Sequence, residues 1–392
     1  MGTARSLLRI GVRTVSATAV AAAHTLVRPL DAATGSLGVG PIKTWQSDPA
    51  TQDSAPLGSL HAPPIRLVAD DGAQLYAEVD GGEDGHGVTM VFTHGYTENR
   101  NFWHYQRLAM RGKVRMVFWD FRGHGRSPLG PSVVSLDRLA ADLRIVLDEL
   151  VPTGPVILVG HSMGGMTIMA LARAHPELFG TRVKGVGLLG TSARMTDYDV
   201  GLPHIGHTLW QVVPGALQRT IGRPRAGAAV RGLRRFTQLL EYHFTREALF
   251  GGEVSEELLA FTTDMAAQAV FENLGDVLSL FQAHDVTAAL NAMADVEAAV
   301  ITGDRDAILP VSHSSVIAEG IPRALFSVIP GGGHHFPLEL PELVNPHLFG
   351  LLQRVRYRLQ TEWYAAHDPA GQAALDRLRD AAIARVEGGE PA

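Results

Sequence analysis

The chain has 392 residues, a formal net charge of −6 and 46% hydrophobic residues, enough for one large α/β domain with an insertion or for two domains. It contains no cysteine, which excludes disulfides, thiol catalysis and cysteine-bound metals. The mild acidity leaves no basic surplus to neutralise phosphates, so we expect no nucleic-acid partner. No apolar run reaches the roughly 18 residues of a membrane span.

The first thirty residues are basic and apolar. Arg5, Arg9 and Arg13 recur at every fourth position and would form one stripe on a helix. Three interpretations stay open: a helix packed on the protein's own surface, a basic amphipathic helix on an anionic membrane, and a signal peptide cleaved after residues 21–23. Secretion is the least favoured because the apolar stretch is short. We expect a cytoplasmic protein, with peripheral membrane association through residues 1–30 as the open alternative.

A hairpin and then a parallel sheet are predicted after the Gly- and Pro-rich residues 31–64. The hairpin spans residues 65–79 around an Asp-Gly pair. Helical patterns at 136–150 and 165–179 alternate with apolar runs typical of buried strands: "VTMVFTHG", "VRMVFWDFRGHG", "PVILVGHSMGG", "VKGVGLLGTS" and "VEAAVITGD". This alternation predicts a doubly wound, mostly parallel α/β sheet that binds ligands at the carboxyl ends of its strands.

One long segment interrupts the alternation. It contains no convincing strand and several helical patterns rich in aromatic and apolar side chains, so we predict a helical lid inserted over the strand ends. The predicted organisation is therefore an N-terminal helix and linker arm (1–64), the first part of the core (65–191), the lid (192–295), the second part of the core (296–360) and a helical tail (361–392).

The run Gly-His-Ser-Met-Gly lies directly after a predicted strand and directly before a predicted helix. Gly160 and Gly164 leave room for a tight, strained turn around Ser162. Such a turn would present an exposed hydroxyl at a helix N-terminus, where free N–H groups favour developing negative charge. This context favours Ser162 as a nucleophile over a simple turn.

A serine hydroxyl needs a general base that is oriented by a third group. Two later strand ends carry the required residue types. "VITGDRDAILP" offers Asp304 and Asp306, and "VIPGGGHHFPLELPE" offers His334 and His335. The order along the chain is serine, acid and then histidine, as this kind of turn requires.

Five motifs, "FTHGYTEN", "DFRGHGRS", "GHSMGG", "GDRDAILP" and "GGGHHFPLELPE", resemble those of the α/β-hydrolase family over residues 65–360. The resemblance implies a catalytic triad. The family's spacing selects Asp306 as the acid and His334 as the base. It leaves Asp304 as a turn-capping carboxylate and His335 as either a supporting side chain behind the site or a solvent-facing one.

The same resemblance implies an oxyanion hole. Its donors would be the N–H of Met163, which follows the nucleophile, and the N–H of Tyr96 in "HGYTEN". Gly95 would let the backbone approach, and His94 would brace the loop. The alternative is that "HGYTEN" is a polar turn. No metal-site spacing and no nucleotide-binding loop is present, so we expect no metal and no cofactor.

Together these features predict a serine hydrolase. Its partner would be a small apolar or lipid-like carboxylic ester, since the predicted lid offers apolar side chains to a pocket. The motifs are similar to those of monoacylglycerol lipases and bacterial carboxylesterases. Thioester, lactone or carbon–carbon bond hydrolysis with the same residues, and ligand binding without catalysis, stay open. The oligomeric state is not indicated.

Overall fold

The computed structural model describes residues 55–81, 87–195, 246–269, 281, 284–368, 370–374, 376, 377 and 380. The predicted N-terminal helix and most of the predicted lid lie outside these residues. Among the helices in the described ranges, none combines the length and the apolar character needed to cross a membrane.

Eight strands form a single sheet in the order β1-β2-β4-β3-β5-β6-β7-β8. The first three strands in this order pair antiparallel, and the others pair parallel. The predicted α/β fold with a mostly parallel sheet is therefore confirmed, as is the hairpin. The strands are β1 (Pro64–Val68), β2 (Gln74–Asp80), β3 (Thr89–Thr93), β4 (Arg115–Asp120), β5 (Val156–His161), β6 (Val183–Leu189), β7 (Glu297–Gly303) and β8 (Ala324–Ile329).

Seven α-helices have both ends within the described ranges, and one of them, at 136–150, has the bounds that the sequence predicts. The predicted helix at 165–179 ends earlier, at Ala174, because Pro176 cannot continue the α-helical hydrogen bonding and begins a 3₁₀ turn. The helices are α1 (His104–Met110), α2 (Leu136–Leu150), α3 (Met163–Ala174), α4 (Glu256–Ala267), α5 (Val311–Gly320), α6 (Phe336–Glu339) and α7 (Pro341–His367).

The core consists of two apolar layers on opposite faces of the sheet. Side chains alternate between the layers along each central strand, so Leu158 enters one layer and Val159 the other. Helices α2, α3 and α5 cover the first layer, and α1 and α7 cover the second. Strands that are buried on both faces need continuous apolar runs, which is why these segments are legible in the sequence.

Two described segments, 246–269 and 284–295, belong to the predicted lid. Leu259 of α4 joins the core layer under α1 and α7, whereas Leu290 and Met293 join the opposite layer. Both described segments of the predicted insertion are thus attached to the core by buried apolar contacts. That the insertion forms a lid stays a prediction.

Candidate active site

Ser162 occupies a sharp turn between β5 and α3. Its backbone angles are φ 51° and ψ −119°, a conformation that costs a non-glycine residue roughly 1–3 kcal/mol. A Cβ at Gly164 would lie 2.1 Å from the carbonyl oxygen of Thr93, and one at Gly160 would lie 2.6 Å from the backbone of Gly164. Both glycines are therefore required by close approach. The serine is only 8% exposed, so the expectation of an exposed hydroxyl is wrong.

His334 and Asp306 lie in contact on the loops that follow β8 and β7. The imidazole Nδ1 is 2.8 Å from one carboxylate oxygen of Asp306, and the other oxygen accepts the N–H groups of Ile308 and Leu309. Burial disfavours the imidazolium, but the carboxylate outweighs it and raises the pKa of His334 above its ordinary value. The Nε2 atom is left to exchange a proton.

The His334–Asp306 pair lies beside the serine turn. The ring of His334 is 4.8 Å from the ring of His161, the residue before Ser162, and the Nε2–H of His161 donates to the carbonyl oxygen of His334 at 2.9 Å. Among the described residues no hydrogen bond joins the Ser162 hydroxyl to His334. Such bonds are often long before a substrate is bound.

The two neighbouring candidates make other contacts. Asp304 is exposed and accepts the N–H of Gly331 at 2.7 Å, so it caps a turn as predicted. His335 is 3% exposed and its Nε2 lies 3.2 Å from the carboxylate of Glu98. The solvent-facing alternative for His335 is therefore wrong, because the side chain is enclosed behind the site.

His94 determines how the loop after β3 presents its backbone. Its Nδ1–H donates to the carbonyl oxygen of Gly95 at 2.8 Å, and its Nε2 accepts the N–H of Phe121 at 3.0 Å. This pairing requires a neutral ring, and burial lowers the pKa of His94 to about 4. Because a trans peptide is planar, holding the Gly95 carbonyl also fixes the opposite direction of the Tyr96 N–H.

The other predicted donor and the rest of the loop are held in comparable ways. Met163 is the first residue of α3, where a backbone N–H lies outside the helix's own hydrogen-bond ladder. Thr97 has a φ of 60°, uncommon for a β-branched residue, and its N–H points to Nε2 of His124 at 3.4 Å. The loop is therefore constrained on both sides of Tyr96.

Two buried side chains near the site have no role in the sequence analysis. The carboxylate of Glu98, 2% exposed, accepts the N–H of Gly95 and lies 2.8 Å from Nδ1 of His161. The ring of His161 stacks on Phe102 with 4.6 Å between centroids. The sequence offered one signal for both residues: each is an ionisable residue within a motif that ends a buried strand, Glu98 in "FTHGYTEN" and His161 in "GHSMGG". No group of three or more His, Asp or Glu side chains in the described ranges is arranged to hold a metal ion.

Comparison with known proteins adds a family match. A model described as "Alpha/beta hydrolase family" matches residues 90–347. The chain is 26% identical over 293 residues to the dihydrolipoyllysine-residue acetyltransferase component of an acetoin cleaving system from Pseudomonas putida, covering 74% of this chain and 70% of that protein.

An esterase is similar to the chain in sequence, and another in structure. Pimeloyl-[acyl-carrier protein] methyl ester esterase from Chromobacterium violaceum is 28% identical over 254 residues, covering 64% of this chain and 88% of that protein. A solved thermophilic esterase from Thermogutta terrifontis superimposes with a TM-score of 0.59 at 24% identity, covering 75% of this chain and all of that one. That likeness supports the fold.

Proposed function

Since this chain belongs to the α/β-hydrolase family, we propose that it is a serine hydrolase that cleaves carboxylic esters of apolar or lipid-like substrates. The observation that carries the proposal is the strained backbone of Ser162 beside a buried pair, His334 and Asp306, that is joined at 2.8 Å. A serine hydrolase of this fold uses a strained turn to position the hydroxyl and an oriented imidazole to activate it.

Acylation would proceed from these atoms. Ser162 Oγ attacks the carbonyl carbon of the ester while Nε2 of His334 takes the hydroxyl proton. The carbonyl oxygen becomes an oxyanion that accepts the N–H groups of Met163 and Tyr96. The protonated His334, stabilised by Asp306, then donates its proton to the leaving alkoxide, and the alcohol departs.

Deacylation reverses the roles with water. A water molecule gives a proton to Nε2 of His334 while its oxygen attacks the acyl carbon on Ser162. The second oxyanion collapses, the bond between the acyl carbon and Ser162 Oγ breaks, and the serine regains its proton from His334. The free acid leaves. The Asp306 carboxylate, which raises the pKa of His334 despite its burial, favours the imidazolium that acts as the acid in each step.

Aromatic contact with the oxyanion loop supports an apolar substrate. The ring of Tyr96 packs edge-on against Phe281, with 6.1 Å between centroids, and Phe281 belongs to the predicted lid segment. An apolar side chain from the insertion therefore lies against the loop that would hold the carbonyl. Each methylene buried in such a pocket contributes roughly 0.8 kcal/mol, so medium acyl chains would bind more tightly than acetate.

The proposal is tested with a chain-length series of p-nitrophenyl esters and with a fluorophosphonate probe. We expect labelling of the wild-type protein, no labelling of Ser162→Ala, and kcat/KM that rises from acetyl to octanoyl esters below their micelle limits. Absence of labelling and of ester turnover would contradict hydrolysis and favour ligand binding without catalysis. A steady fall in kcat/KM with chain length would contradict the apolar substrate alone.

A further inference from the structure

One buried carboxylate lies where three loops of the site meet. Glu98, on the loop after β3, accepts the N–H of Gly95 with one oxygen. Its other oxygen is 2.8 Å from Nδ1 of His161, at the end of β5, and 3.2 Å from Nε2 of His335, on the loop after β8. A Cβ at Gly95 would lie 2.9 Å from both carboxylate oxygens, so the approach requires glycine there.

Each contact of Glu98 ends one residue away from a group that the proposed reaction uses. Gly95 precedes Tyr96, His161 precedes Ser162 and His335 follows His334. His161 also connects the serine turn to the histidine loop, because its Nε2–H donates to the carbonyl oxygen of His334 at 2.9 Å.

The surroundings of Glu98 favour the ionised form of its carboxyl group. A carbonyl oxygen can only accept, so Nε2 of His161 carries a proton. Glu98 already accepts the N–H of Gly95. Although burial opposes ionisation, the contacts with His161 and His335 hold the pKa of Glu98 well below its usual range. The Glu98 carboxylate and the His161 ring are therefore in contact behind the serine turn, with 2.8 Å between Oε1 and Nδ1.

We propose that Glu98 is a positioning residue, a role that rests on the proposed function. It holds the oxyanion loop, the serine turn and the histidine loop in one arrangement during acylation. Donors and nucleophile must be kept within about 0.5 Å of their productive geometry, and a displacement of about 1 Å can cost on the order of 100-fold in rate. A single carboxylate that binds all three loops resists their relative movement. Its negative charge also favours the imidazolium of His334.

The experiment compares Glu98→Gln with Asp80→Asn in the full-length protein. Glutamine has the shape of glutamate and can still accept the Gly95 N–H, but it carries no charge. Asp80 is a matched control: it is 4% exposed, pairs with Arg107 at 2.6 Å and lies at the end of β2 that is remote from the site, opposite Met116. Both variants remove one buried charge.

We expect Glu98→Gln to lower kcat on the order of 10- to 100-fold with little change in KM, because positioning is lost in the transition state. The acidic limb of the kcat/KM profile should move to lower pH. The groups that face His334 are Asp306, His161, His335 and, behind them, Glu98, so this shift reports the lost charge. Asp80→Asn should lower Tm and leave kcat and the pH profile within about twofold.

A third variant keeps the proposal testable if Glu98→Gln does not fold. Glu98→Asp keeps the charge but shortens its reach by one methylene, so it should retain the acidic limb and still lose kcat. Wild-type kcat in both Glu98 variants, or an equal loss in Asp80→Asn, would overturn the positioning role. Failure of the proposed function would differ, since the wild-type protein itself would then neither turn over esters nor bind the fluorophosphonate probe.

Discussion

Asp306→Asn changes one atom of the site and should remove most of the ester hydrolysis. Asp306 accepts two backbone N–H groups, of Ile308 at 2.9 Å and of Leu309 at 2.8 Å, with the oxygen that does not face His334. The asparagine oxygen would keep these two bonds, so its NH₂ group is directed at Nδ1 of His334. A donor at that place requires an unprotonated Nδ1, which moves the ring proton to Nε2.

A proton on Nε2 blocks the atom that must take the proton of Ser162. The amide also cannot stabilise the imidazolium. We therefore expect kcat to fall about 10⁴-fold with KM nearly unchanged. At about 1.36 kcal/mol for each factor of ten, this is about 5.5 kcal/mol of lost transition-state stabilisation. The two retained backbone bonds should keep the loop folded and Tm close to that of the wild type.

Asp304→Asn is the matched control. Asp304 is exposed, and its carboxylate only accepts the N–H of Gly331, a bond that an asparagine oxygen can make equally well. Initial rates with p-nitrophenyl butyrate from pH 5 to 9 would measure both variants. Wild-type kcat/KM should fall in acid with a midpoint above the ordinary pKa of a histidine, since that of His334 is raised. Equal losses in the two variants, or less than a tenfold loss in Asp306→Asn, would refute the assignment of Asp306.

Three further predictions concern backbone packing, acid stability and the N-terminus. Gly164→Ala should lower the free energy of unfolding by about 2 kcal/mol or more and abolish turnover, because its Cβ would meet the carbonyl oxygen of Thr93. Gly350→Ala, in open space on α7, should raise the free energy of unfolding by up to about 1 kcal/mol. Thermal unfolding compares the two variants. Burial lowers the pKa of His94 to about 4, so below about pH 6.5 the unfolded chain binds more protons than the folded one. The protein should therefore lose up to about 3 kcal/mol of its free energy of unfolding between pH 6.5 and 4. Urea unfolding at pH 7 and at pH 4.5 measures this loss, which should be smaller in His94→Gln. Deleting residues 1–30 should leave turnover of soluble esters unchanged. On the membrane-helix interpretation the deletion should also abolish sedimentation with anionic liposomes, and full-length protein that stays in the supernatant at low salt would contradict that interpretation.

Most of the confirmed predictions about the fold came from local patterns in the sequence. The parallel sheet followed from continuous apolar runs, because strands buried on both faces have no polar side. The bounds of α2 followed from its helical period, and the hairpin from one Asp-Gly pair. Gly160 was legible for a similar local reason, because a Cβ there would meet the backbone of Gly164 within the same turn. Glycine at position 164 is instead required by the neighbouring strand β3, since its Cβ would meet the carbonyl oxygen of Thr93.

Tertiary structure alone brought Glu98, His161 and His335 together. Glu98 and His335 follow β3 and β8, and His161 is the last residue of β5. Their contact depends on β5 lying beside β3 and on the loop after β8 reaching back across the site. No spacing along the chain encodes that distance. The burial of Ser162 and His335 is likewise encoded by no spacing along the chain. Periodicity reports which face of a strand is buried, whereas the pairing of ionisable side chains at strand ends is decided by strand order and loop path.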